Sequence, residues 1–184
     1  MSRKCRDCGG SMASYIEDHQ YVECGLSYVV LHAIKKFRCE RCGSETLQIP
    51  QQAQLHRSIA DAIVSSPSRL GGPEIKFLRS HLGWSNQQFA RMMGVSEEAA
   101  SRWASGTATM GGPSERLLKM LAAIGPIDQE FEDFEDQKSA HLGMLQHAIT
   151  RVFAMLAADE LDNLTTKSLH MKLNRDWAPQ LAAA

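Results

Sequence analysis

The chain has 184 residues, of which 22 % are charged and 43 % apolar, and a formal net charge of −1. This is the balance of a water-soluble chain with room for one or two small domains, and it excludes a long disordered polyelectrolyte. No run approaches the ~20 apolar residues that a membrane-spanning helix needs, and Met1-Ser2-Arg3-Lys4 leads into Cys5 without a secretory signal, so we expect a cytoplasmic protein with no membrane partner. The near-neutral total hides an uneven distribution: residues 1–50 carry net +1, residues 51–126 net +3 and residues 127–184 net −5. A phosphate-binding face, if present, belongs to the middle segment.

The first feature along the chain is a pair of C-x-x-C motifs, Cys5/Cys8 and Cys39/Cys42, with 30 residues between them. Two intervening residues let both thiolates of a motif reach one ion from a tight turn, and two such turns complete a tetrahedral sulfur shell. Glycine follows each motif, at Gly9-Gly10 and at Gly43, where a thiolate loop calls for positive φ. With four cysteines no position stays open for a catalytic water, so one structural Zn2+ is expected. The same ligands suit an iron–sulfur cluster. Disulfides would require an oxidising compartment, and a redox C-x-x-C would sit beside a βαβ pattern that the sequence lacks. Cys24 lies between the motifs, outside either C-x-x-C pair, and reads as a small turn residue.

Between the motifs, Ser14-Tyr15-Ile16-Glu17 and Leu26-Ser27-Tyr28-Val29-Val30-Leu31 are rich in β-branched and aromatic residues, which predicts a short hairpin or small sheet. Lys36-Phe37-Arg38-Cys39 is expected as a last strand delivering the second motif. Such a unit is too small for a large core and relies on its metal. After Pro50, residues 51–65 read as a helix with Leu55, Ile59 and Ile63 on one stripe. Ser65-Ser66-Pro67-Ser68 and Gly71-Gly72-Pro73 then mark a linker between a first domain, residues 1–66, and a second, residues 67–126.

The second domain is punctuated as four helices. Gly72-Pro73 opens the first, striped with Ile75, Leu78 and Leu82 and closed at Gly83. Ser85-Asn86-Gln87-Gln88 is a capping box that starts the second, through Phe89, Ala90, Met92 and Met93. Gly94-Val95 turns the chain, and Ser96 caps a third helix from Glu97 to Ser105, ended by Gly106. Gly112-Pro113 opens a fourth through Leu117, Leu118 and Leu121 to Gly125-Pro126. Two short helices joined by a glycine turn, with small Ala90 at their crossing, predict a DNA-binding helix-turn-helix.

These motifs together resemble the MqsA antitoxins, over about residues 1–125. The resemblance is carried by the two C-x-x-C pairs, by Phe89-Ala90-Arg91-Met92-Met93-Gly94-Val95, and by Ser101-Arg102-Trp103-Ala104-Ser105-Gly106. It implies an N-terminal zinc domain held by Cys5, Cys8, Cys39 and Cys42. The resemblance implies that this domain binds a toxin, an mRNA-cleaving ribonuclease. It also implies a C-terminal helix-turn-helix of the phage-repressor (XRE) type that dimerises and represses its own operon from a palindrome. Arg102 matches the family's base-reading arginine. The second base reader in that family is an asparagine, and this chain has Glu98 there.

If the third helix enters a major groove, the planar fork of Arg102 suits guanine O6 and N7. Glu97 and Glu98 at its front either accept from a cytosine amino group or simply suit the helix dipole. Glu98 is also one turn from Arg102, within reach of an ion pair. Ser85, Gln87, Ser96 and Ser101 are placed to hydrogen-bond phosphates, and Arg91 and Lys76 are further backbone contacts. Trp103 is expected in the core. Net +3 is weak for a monomer on DNA, so a homodimer on a palindromic operator is expected.

The acidic extension, residues 127–184, contains Glu130-Phe131-Glu132-Asp133-Phe134-Glu135-Asp136. Leu142, Leu145, Ile149, Val152, Phe153 and Leu156 then predict an amphipathic helix to about Ala158, and Thr165 to Asp176 reads as a second. The three terminal alanines carry no argument. The expected fold class is therefore α+β: a small β-rich zinc domain, an all-α helix-turn-helix domain and a helical extension. The expected function is a zinc-containing, sequence-specific DNA-binding repressor, acting as a type II antitoxin with a protein toxin as partner. A stand-alone regulator without a toxin is the alternative. A zinc hydrolase or nuclease is disfavoured, because the seven histidines are scattered and no nucleophile–base constellation stands out.

Overall fold

The computed structural model describes residues 3–125, 168–173 and 177–180. They form five strands, five α-helices and one short 3-10 helix (Val22–Cys24), an α+β chain with its strands at the two ends and its α-helices between. The expected tail helix ending near Ala158 and the acidic run before it lie outside the described residues. The chain divides into two compact units, and the division falls inside the first helix, between Leu55 and His56.

The first unit is a sheet built on one long strand. β1 (Met12–Gln20) pairs antiparallel with β2 (Val29–Cys39). On the other edge of β2, β3 (Glu45–Gln48) pairs antiparallel with Lys35–Arg38. Further along that edge β4 (Leu169–Leu173) pairs in parallel with Val29–His32, and β5 (Trp177–Gln180) completes the sheet antiparallel to β4. The two apolar segments expected as separate strands on either side of His32 are thus one strand. A β-bulge makes this work: Ala33 adopts φ +55°, the β1–β2 register shifts between Glu17 and His19, and the Asp18 carboxylate accepts the Ala33 amide at 3.0 Å. The last strand of the N-terminal region is β3, which follows the second cysteine motif.

The reading of Thr165–Asp176 as a helix is corrected. Leu169, Met171 and Leu173 alternate with His170 and Lys172, and the central Met171 is fully buried. Leu, Met and Lys favour helices on their own, but pairing with β2 overrides that preference. The Trp177 indole N–H donates to the Pro50 carbonyl at 3.0 Å, and the ring is buried.

α1 (Gln52–Ser65) carries the expected stripe, with Leu55, Ile59 and Ile63 all buried. In the second unit α2 (Gly72–His81), α3 (Asn86–Met93), α4 (Glu97–Ser105) and α5 (Gly112–Ile124) follow the expected punctuation. α2 and α3 pack on both α4 and α5. Phe89, Ile75, Leu78, Met110 and Leu118 are fully buried at their centre, each contributing about 1.5–3 kcal/mol relative to exposure. The segment expected as a loose linker is fastened to α5. The buried Lys119 ammonium donates to the Ser66 and Ser68 carbonyls at 2.9 and 3.1 Å, and the Leu70 amide donates to the Glu115 carboxylate at 3.0 Å.

Candidate functional site

The two cysteine motifs fold alike, because each is closed by the same pair of backbone hydrogen bonds. The Cys5 amide donates to the Gly10 carbonyl at 2.9 Å and the Gly9 amide to the Cys5 carbonyl at 3.0 Å. In the second motif the Cys39 amide donates to Ser44 at 2.9 Å and the Gly43 amide to Cys39 at 3.0 Å. Gly9 and Gly43 take φ +71° and +74°, the left-handed conformation the sequence pattern demanded there. β2 ends at Cys39 and β3 begins at Glu45, so the sheet aims the second motif, while the bridge between Lys4 and Ser11 braces the first.

The four sulfurs converge. Cys5 and Cys42 are 3.6 Å apart, Cys8 and Cys39 3.4 Å, and all four ligand atoms lie within 4.8 Å of one another. Four thiolates holding one ion tetrahedrally at ~2.3 Å would sit about 3.8 Å apart, so the cluster can hold a metal ion with small adjustments. None of the five cysteines is in a disulfide, and Cys24 stands apart from the cluster. Cys5 and Cys39 are buried, whereas Cys42 is exposed.

Electrostatics favour a cation here. The Cys42 and Arg41 amides aim at the Cys39 sulfur and hold its thiol down at about 6. At Cys8 the Gly10 amide pulls the same way, but the neighbouring Cys42 and Cys39 sulfurs and burial outweigh it, pushing the thiol up to about 12. Cys42 is also raised: the Ser44 amide and Cys8 lower it, while Cys39, burial and Cys5 together prevail. Four sulfurs this close cannot all ionise without a positive charge between them.

The helical residues singled out from sequence are all exposed: Lys76, Ser85, Gln87, Arg91, Ser96, Glu97, Glu98, Ser101 and Arg102. Ser85 and Ser96 cap their helices, accepting the Gln88 and Ala99 amides at 3.1 and 3.2 Å, and Gln88 reaches back to the Ser85 amide at 2.8 Å. The Ser85 hydroxyl keeps its own proton to donate, whereas that of Ser96 faces the Glu98 carboxylate. Gly94 turns the chain between α3 and α4 at φ +65°. Asn86, which sequence reasoning missed, ties α3 to α2 and to the start of α4. Its Oδ1 accepts from Arg79 of α2 at 3.0 Å, and its Nδ2 donates to the Glu97 carbonyl at the start of α4 at 3.4 Å. Nothing in the sequence separates it from an ordinary polar residue in the first turn.

Two expectations about α4 change. Trp103 is half-buried, and the positions α4 gives to the core are Ala100 and Ala104. Glu98 and Arg102 form no ion pair among the described residues. The Glu98 carboxylate is held low chiefly by its own amide and the Ser96 hydroxyl, with Arg102 the weakest contributor. Arg102 therefore projects into solvent without a carboxylate partner on its own helix.

Two histidines the sequence leaves scattered are brought together by β4: His32 Nε2 and His170 Nδ1 are 2.7 Å apart. Among the described residues, no helix is long and apolar enough to cross a membrane. No protein-family model, no curated protein and no solved structure matches the chain.

Proposed function

We propose that this protein is a zinc-containing DNA-binding repressor of the antitoxin type. The single observation that carries the reading is the α3–α4 pair: two capped helices turned at a left-handed glycine, with Ala90, Ala100 and Ala104 buried and an exposed Arg102 that has no ion pair among the described residues. Such a pair supports a helix-turn-helix reading, in which the second helix would lie in the major groove. Arg102 then reads a guanine, with Glu97 and Glu98 rejecting or selecting neighbouring bases, and Ser85, Gln87, Ser96, Ser101, Arg91 and Lys76 serving the phosphates.

The metal proposed for Cys5, Cys8, Cys39 and Cys42 is Zn2+, since a closed four-thiolate shell suits an ion with no redox chemistry to perform. Its role is to fold the N-terminal sheet rather than to catalyse. The likeness of the cysteine and helix motifs to the MqsA antitoxins supports a toxin as the partner of the N-terminal unit and a two-fold dimer on a palindrome. A second reading, a regulator without a toxin, is favoured by β4 and β5: the strand pair from the far end of the chain covers part of the β2 edge that a partner would otherwise meet.

The deciding experiment is gel-shift binding to DNA upstream of the protein's own gene, wild type against Arg102→Ala, across a salt series. The expected loss is about 1–3 kcal/mol with relaxed sequence preference, together with a steep fall in affinity as salt rises. Equal binding by both proteins removes Arg102 from base reading. No binding to any duplex at low salt removes the repressor reading.

A further inference from the structure

We propose that His32 and His170 form a one-proton clasp that holds the C-terminal strands on the N-terminal sheet and lets them go when both rings are protonated. β4 meets β2 in parallel at Val29↔Leu169 through His32↔Lys172, and the Leu169 amide donates to the Tyr28 carbonyl at 3.0 Å. A parallel ladder this short is a weak attachment by itself. A line of side chains reinforces it. Asp18 Oδ2 and His32 Nδ1 are 2.8 Å apart, His32 Nε2 and His170 Nδ1 2.7 Å, and His170 Nε2 and Ser168 Oγ 2.7 Å. The ring centroids are 4.9 Å apart with planes 14° apart, which at that nitrogen separation places the rings end to end and nearly coplanar.

Proton counting gives the behaviour. Asp18 accepts from His32 Nδ1–H, neutral His32 Nε2 accepts from His170 Nδ1–H, and neutral His170 Nε2 accepts from the Ser168 hydroxyl. One added proton reverses the middle bond: His32 becomes the imidazolium, faces Asp18 and donates to His170. A second proton would set two N–H groups head to head between two cations, so the closed clasp holds at most one. Asp18 stays ionised to support it, its carboxyl lowered first by the Ala33 amide and then by His32.

The other charges around the pair do not replace this logic. On β1, Glu17 is engaged by Lys36 of β2, and His19 by Glu23. On β4, Lys172 lies one step beyond His170 on the same face and adds a further repulsion to the doubly protonated state. On β3, Glu45 pairs with Arg38, and β5 carries no charged residue. Released, each ring can take a proton of its own; clasped, the pair shares one, so docking weakens as pH falls, by at most about tenfold per pH unit.

The test is hydrogen exchange by mass spectrometry on the full zinc-loaded chain from pH 7.5 to 5.5, with metal content measured at each pH. Protection of peptides covering β4 and β5 is divided by that of the β1–β2 pairing as internal reference. The expected result is a ratio that falls severalfold as pH drops from 7.5 to 5.5, less steeply than the limit of about tenfold per unit. It should stay flat in His170→Gln, which keeps a hydrogen-bonding group but cannot titrate, and begin to fall at higher pH in Asp18→Asn. A flat ratio in the wild type, or the same fall in His170→Gln, overturns the proposal. Should His170→Gln fail to dock at any pH, 15N spectra of the wild-type imidazoles decide: both rings doubly protonated while β4 remains protected overturns it, and release coinciding with the second protonation supports it.

Discussion

Gly72, the first residue of α2, lies so close to the carbonyl of Ala104 near the end of α4 that a Cβ there would sit 2.6 Å from the oxygen and 3.0 Å from the Gly106 nitrogen. Both neighbours are backbone and cannot swing aside. The contact locks α2 against the C-terminal end of the proposed recognition helix. Gly72→Ala must push the two helices apart, and we expect it to destabilise the helical unit by about 1–3 kcal/mol, the usual penalty of overpacking. Urea unfolding followed by Trp84 and Trp103 fluorescence measures this. Gly111→Ala, where an added Cβ meets nothing within 4 Å, is the control and should change little.

Glu115 is the buried hub that fastens the segment before α2 to α5. Its carboxylate accepts from Arg69 Nε and the Leu70 amide, with the Lys119 ammonium 3.6 Å away and itself buried. Glu115→Ala leaves the Lys119 charge without its carboxylate in a dry site, and breaking such a pair from one side costs about 3–5 kcal/mol. The Glu115→Leu/Lys119→Leu double variant should be much less damaging than the sum of the two single changes, since both buried charges leave together. Additive losses in the double-mutant cycle would show that the carboxylate and ammonium do not act as a pair.

The cysteine motifs and helix caps were legible because each needs only neighbours in sequence: Gly9 and Gly43 announce left-handed turns, and Ser85 with Gln88 announces a helix start. What was hidden depends on distant partners. Leu169-His170-Met171-Lys172-Leu173 alternates like a strand, but its preference for helix is overridden only by β2, some 140 residues earlier. The bulge at Ala33 was illegible for the same reason: no glycine marks the positive φ, and the Asp18 carboxylate on the opposite strand stabilises it. Trp103 looked like core by size alone, yet at its turn of α4 the close helix crossings admit only Ala100 and Ala104.

Metal loading should be stoichiometric and confined in its effect. Elemental analysis of purified protein is expected to find one zinc ion per chain, and Cys39→Ser, at the most acidic thiol of the cluster, should abolish it. Removing the metal with a chelator should unfold the sheet unit, whose small apolar core does not suffice without it, while helical circular dichroism persists. Simultaneous loss of the α2–α5 signal would contradict that expectation.

Acid should weaken the helical unit as pH falls below the ordinary imidazole range near ~6.5. His56 and His81 both lie against Phe77: His56 edge-on with centroids 5.9 Å apart, His81 parallel at 6.4 Å. Burial lowers the pKa of each, and for His81 the Arg57 charge adds to it while Asp61 opposes it. A base whose folded pKa lies below its unfolded value binds fewer protons when folded. Its contribution to stability is therefore complete above the unfolded value near ~6.5 and is lost as pH falls from there through the lowered folded value. The slope of unfolding free energy against pH should be positive between about pH 6.5 and 5, above the range where exposed carboxylates protonate. His81→Phe preserves a ring beside Phe77 and removes the titration, so its slope should be shallower than wild type's in that window. An unchanged slope would place the acid sensitivity elsewhere.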